Sequence, residues 1–68
     1  MAWTWRFETA DGAPVSVPDL DGEEFSAQGD AESWLGEVWR DLAAAGVDAV
    51  TLLEGDREVY GPMSLHAP

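Results

Sequence analysis

His66 is the one imidazole in the chain, and Ser16, Ser26, Ser33 and Ser64 are the hydroxyls it could activate. A general base must be held within hydrogen-bond reach of the proton it takes. His66 is third from the end of the chain, where segments fray and hold no such geometry, so catalysis is not expected from it. No Gly-x-Ser-x-Gly elbow presents a nucleophile, and no glycine-rich loop is built to cradle phosphate. Arg6, Arg40 and Arg57 are isolated cations rather than a phosphate clamp. Cysteine is absent, which removes thiolate catalysis, thiolate-ligated metals and disulfides. Carboxylates are plentiful, but for that reason no acid–base pair stands out. A glycosidase would also need a cleft that a domain of this size can hardly enclose. The expectation is a protein that is not an enzyme and holds no cofactor.

Asp19-Leu20-Asp21-Gly22-Glu23-Glu24 has the outline of a cation loop, with oxygens around a glycine turn. Calcium loops of the EF-hand type need alternating ligands closed by a glutamate at the twelfth position, between two helices. Those features are missing, so the stretch reads as a solvated acidic loop and no metal is expected. The four tryptophans have two readings. In a very small domain large rings replace several aliphatics in the core, which suits Trp5 and Trp34. Four such rings are many for one small core, so at least one is expected at an interface, where tryptophan is a frequent anchor.

The elements that position these residues follow from periodicity. Ala2 to Thr9 alternates, with Trp3, Trp5 and Phe7 on one side and Thr4, Arg6 and Glu8 on the other, the pattern of a half-buried strand. Asp11-Gly12 makes a turn. Val15 and Val17 suggest a short second strand, but Pro14 and Pro18 remove ladder donors, so it is an edge strand or merely extended. Residues 18–29 read as an acidic loop that Phe25 pins to the domain. Ala31, Trp34, Leu35, Val38, Trp39, Leu42 and Ala45 recur at helical spacing, which predicts an amphipathic helix over about 30–45. Asp30 is the expected N-cap with Ser26 a competitor one turn earlier, and Gly46 the expected C-terminal stop. Gly36 inside the helix costs about 1 kcal/mol relative to alanine, and a close backbone contact would explain it.

Val47–Glu54 and Arg57–Leu65 read as a hairpin turning at Gly55-Asp56. If Glu54 pairs with Arg57, Leu52 faces Val59 and Val50 faces Gly61. Val50, Leu52, Val59, Met63 and Leu65 then meet the helix, and Thr51, Leu53, Glu58 and Tyr60 form the other face. Pro62 interrupts the ladder. The fold class is α+β, a ββαββ arrangement with one helix packed on a small antiparallel or mixed sheet, in a single domain spanning 1–68.

Composition narrows the partners. Fourteen acids against three arginines and no lysine give a formal charge of −11, which disfavours direct contact with nucleic-acid phosphates. The apolar content of 46% is too high for a disordered acidic tail. No run approaches the ~20 apolar residues of a membrane span, and no signal-peptide pattern opens the sequence. Lysine, asparagine and isoleucine, whose codons are AT-rich, are all missing; that points to a high-GC bacterial gene and a cytoplasmic product.

Trp3-Thr4-Trp5-Arg6, the Asp30–Glu37 stretch DAESWLGE and the Tyr60–Leu65 stretch YGPMSL together resemble uncharacterised small acidic proteins of high-GC bacteria. The resemblance implies a stand-alone single domain and carries no activity or site residues.

Two functions remain open. One is a non-catalytic acidic module that adapts or regulates a basic protein partner, with Trp3, Trp39, Leu53, Tyr60, Asp19, Asp21, Glu23 and Glu24 as contact candidates. The alternative is a small-ligand-binding protein or enzyme with a tryptophan-lined pocket at the helix–sheet junction. A homodimer is also expected, because Leu53 and Tyr60 have no evident cover and only roughly 60% of the unfolded surface is buried at this size. A monomer with scattered exposed apolar residues is the competing picture.

Overall fold

The computed structural model describes residues 2–66. Four elements follow one another: β1 (Trp3–Glu8), α1 (Gln28–Ala44), β2 (Ala49–Glu54) and β3 (Arg57–Ser64). The strands form one antiparallel sheet in the order β1-β2-β3, so β2 is central. The α+β architecture, one helix on a small sheet, is therefore the expected one. The second strand of the expected ββαββ order is not formed. It reduces to a bridge between Glu8 and Pro14, because the prolines on either side of Val15–Val17 cannot donate to a ladder.

That irregular segment nonetheless closes the free edge of β1. Val15 N–H donates to Phe7 C=O at 2.9 Å, and Trp3 and Phe25 exchange both backbone bonds at 2.8 Å. Asp21 ties the loop between them, its Oδ2 accepting from Ser16 Oγ at 2.7 Å and Val17 N–H at 2.9 Å. Phe25 is the pin foreseen for it, with its ring 5.4 Å from that of Trp34.

The helix begins two residues before the expected start. Ala27 is the N-cap, in extended conformation and without a side-chain capping bond; neither Asp30 nor Ser26 caps it. Asp30 lies inside the first turn, where a carboxylate still suits the positive end of the helix dipole. At the other end Gly46 adopts φ +100°. Its N–H reaches Ala43 C=O at 3.2 Å and that of Val47 reaches Leu42 C=O at 3.0 Å, the paired bonds of a Schellman stop.

Phe7, Val17, Leu35, Leu42, Val47, Val50 and Leu65 form the buried cluster, with Trp5, Trp34, Val38 and Met63 packed around it. Trp34 stacks on Phe7 with ring centroids 6.4 Å apart. Among the described residues no helix is long and apolar enough to cross a membrane.

The hairpin departs from simple alternation. Glu54 pairs with Arg57 as expected, but Leu52 lies opposite Tyr60 rather than Val59, and Val50 opposite Met63 rather than Gly61. The ladder slips at two places, and the extra residues are absorbed in β3. Val59 consequently leaves the core face expected for it and is 37% exposed. Tyr60 changes faces, because a one-residue slip reverses every side chain beyond it. Gly61 makes the second irregularity possible. Its φ is +119°, and a Cβ there would sit 2.8 Å from Val50 O and 2.9 Å from Thr51 Cα.

The sheet face away from the helix is finished by polar groups. Thr51 is fully buried and donates to Glu8 Oε1 at 2.6 Å. Arg6 spans from β1 toward β3, with Nη2 2.7 Å from Glu58 Oε2 and Nε 3.4 Å from Glu8 Oε1. These bonds hold the Arg6 guanidinium above its ordinary pKa, the hydrogen bond to Glu58 contributing most. Leu53 pairs with Glu58 on this side. The expected apolar face of Leu53 with Tyr60, which would have needed a cover, does not form.

Candidate functional site

Three strands about 4.8 Å apart place the axes of β1 and β3 about 10 Å apart, close to the full width of one helix. The backbone of α1 lies nearest β1, so the helix leaves the β3 side of the sheet uncovered. The result is an open groove of about 630 Å³ between α1 and β3.

Three of the four elements contribute a wall. From α1 come Glu32, Leu35, Gly36 and Trp39, positions spaced by three and four residues and hence on one face. β1 contributes Trp5, whose Nε1–H donates to Ala31 C=O at 2.9 Å, so the ring is pinned to sheet and helix at once. β3 contributes Tyr60 and Met63, Tyr60 only because the slip in the ladder brings it round. Tyr60 is 58% exposed and Trp39 37%. Gly36 makes no close contact: a Cβ built there meets nothing within 4 Å. The expected tight packing at Gly36 is thus absent, and what the glycine leaves is open space in the groove.

His66 stands at one end of the groove, and it is anchored rather than frayed. Its Nε2 lies 2.7 Å from Asp48 Oδ1, and Leu65 N–H donates to Asp48 C=O at 2.9 Å. Asp48 Oδ2 also accepts from Ala10 N–H at 3.0 Å. The hydrogen bond to His66, then that to Ala10, holds the Asp48 carboxyl below the usual aspartate range. Ser64 Oγ is engaged with the backbone of His66, accepting from its N–H at 3.1 Å, so the imidazole is not placed as a base for that hydroxyl. A second cavity of about 280 Å³ lies on the other side of this junction, lined by Glu8, Thr9, Asp48 and Pro62 among others.

Of the eight contact candidates, Trp39 and Tyr60 come together in the groove. Trp3 is bridged to Phe25 at the opposite edge of the sheet, and Leu53 lies on the far face. Asp19, Glu23 and Glu24 are exposed in the loop, while Asp21 is occupied with its turn. Among the described residues no three acidic or histidine side chains gather as a metal site. Trp5, Glu32, Gly36 and Met63 were not among the candidates. No local signal marks them: they face the groove because the helix packs toward β1 and leaves β3 open.

Comparison of the chain with family models, with curated proteins and with solved structures gives no match.

Proposed function

We propose that this domain is a non-catalytic protein-interaction module whose groove between α1 and β3 docks a segment of a basic partner protein. The observation that carries the reading is the groove itself: an apolar trough with two half-exposed aromatic anchors in a chain of charge −11. Aromatic anchors supply contact area at low entropic cost, and opposite net charge steers encounter. A second copy of the chain is the competing occupant. Self-association would have to overcome repulsion between two chains of −11, whereas a basic partner is attracted, so the heterologous partner is the better fit.

A displayed peptide library selected against the full chain and against Gly36→Phe tests this. Nothing lies within 4 Å of a Cβ at Gly36, so the introduced side chain starts in open space at the groove, and circular dichroism verifies that the variant is folded. Peptides combining an apolar anchor with flanking Lys or Arg should be enriched on the wild type, lost on the variant and weakened by salt. Equal enrichment on both proteins removes the groove from the interaction. Light scattering that shows a dimer dissociated by Gly36→Phe would instead make the second copy the occupant.

A small-ligand reading also has an observation in its favour, because about 630 Å³ falls within the common range of ligand pockets, roughly 300–1,000 Å³. Tight, salt-independent binding of a neutral metabolite would select it.

A further inference from the structure

The identity of the groove-lining residues says more about the ligand than its apolar character does. Trp5, Trp39 and Tyr60 come from three different elements and face one space. The ring pairs in contact among the described residues are Phe7–Trp34 and Phe25–Trp34, so the three groove rings do not satisfy one another by stacking. Trp39 already attracts a cation within its own chain: the Arg40 guanidinium carbon lies 5.3 Å from its ring centroid, within the distance at which a ring quadrupole holds positive charge.

Glu32 brings a carboxylate to the same groove. It lies one helical turn before Gly36 on the same face. Its carboxylate accepts from Gln28 Nε2–H at 3.2 Å and has no cationic partner among the described residues. Arg6 is committed to Glu8 and Glu58, and Arg57 to Glu54. Arg40 lies over the Trp39 ring, and the imidazole of His66, which lines the groove, is bound to Asp48. A lone carboxylate cannot replace the six or more oxygens that a hard metal ion demands. Three aromatic rings beside it do suit a large, weakly hydrated organic cation.

We infer that the groove recognises a side-chain organic cation, a guanidinium or alkylated ammonium, held by Trp5, Trp39 and Tyr60 with Glu32 as counter-charge. The inference rests on the docking reading above and names the chemical group that the groove selects. Trp5 is set before the ligand arrives by its bond to Ala31, and Gly36 leaves the space that the cation fills.

Choline and dimethylbutanol, the neutral alcohol in which carbon replaces choline's nitrogen, have nearly the same shape and differ in charge. Each is titrated into the isotope-labelled full chain at constant ionic strength, following the indole N–H signals of Trp5 and Trp39. Choline should bind about tenfold more tightly than the alcohol, the difference expected of a partly desolvated cation–π site. Glu32→Gln should narrow that preference, and Trp39→Ala should abolish the shift at Trp5; both positions are solvent-exposed, and circular dichroism verifies that each variant is folded. Equal affinity for the two probes, or no binding of choline, overturns the inference. Peptides lost on Gly36→Phe but lacking any cation preference would leave the docking reading standing without it. Choline preference with no peptide enrichment would do the reverse.

Discussion

Replacing Gly61 by alanine perturbs the residue on which the course of β3 depends. Its φ of +119° lies where a side chain is rarely tolerated, a cost of about 1–3 kcal/mol. The new methyl would also meet Val50 O at 2.8 Å and Thr51 Cα at 2.9 Å. Both are backbone atoms of the central strand and cannot swing aside, so overpacking adds about 1–3 kcal/mol more. The sum, about 2–6 kcal/mol, is set against a total stability of about 3–10 kcal/mol for a 68-residue domain. Urea unfolding followed by tryptophan fluorescence, paired with thermal melts, measures the effect. At about 4–8 °C per kcal/mol, the melting temperature should fall by at least about 8 °C. Gly36→Ala is the matched control. It has open space around its Cβ position and should gain up to about 1 kcal/mol from helix propensity. If Gly61→Ala melts within about 4 °C of the wild type, the close approach of β3 to β2 is wrong, and so is the register that brings Tyr60 into the groove.

Three further outcomes follow from the packing and the polar contacts. Leu35→Ala empties a buried position in the core cluster, beside the groove, and should cost about 2–5 kcal/mol in denaturant unfolding. Thr51→Val removes the buried hydroxyl that donates to Glu8 at 2.6 Å and should cost about 1–3 kcal/mol, with Thr51→Ser recovering most of it. The Asp48 carboxyl is held below its ordinary range by His66 and then by Ala10. A depressed pKa contributes stability that is present above the unfolded value and lost as pH falls through the folded one. The difference in melting temperature between wild type and Asp48→Asn should therefore be full near about pH 6 and shrink as pH falls below the ordinary aspartate value of about 3.9; a difference that does not shrink on acidification would detach Asp48 from any stabilising role.

Much of the fold was legible because period and punctuation agreed. The helical recurrence from Ala31 to Leu42, the stop at Gly46 and the Gly55-Asp56 turn are each local, and each is where the pattern places it. The N-cap was misplaced because capping preference favours Asp30, whereas the helix extends back to Ala27, which caps it with no side-chain bond. Alternation alone also failed to locate the slip at Val59. Gly61-Pro62 marks β3 as irregular but does not say which residue is displaced, and that choice assigns Tyr60 to one face or the other. The groove was legible only in outline, as a tryptophan-lined junction. Its other residues depend on which part of the sheet the helix covers, a tertiary outcome that no local pattern encodes.

The pairing of β1 with β2 sets a schedule for folding. Glu8 meets Ala49, so the loop between them spans 41 positions, while the β2–β3 hairpin closes across two residues. The longer closure costs roughly 2–3 kcal/mol more in chain entropy, which favours formation of the hairpin before β1 docks. On a ribosome β1 emerges before β2, and at about 5–20 residues per second it waits roughly 2–8 s for its partner. During that interval Trp3, Trp5 and Phe7 have no sheet to join. The acidic loop from Asp19 to Glu24 emerges after β1 and well before β2, so the unpaired strand is accompanied by like charges that oppose contact between chains.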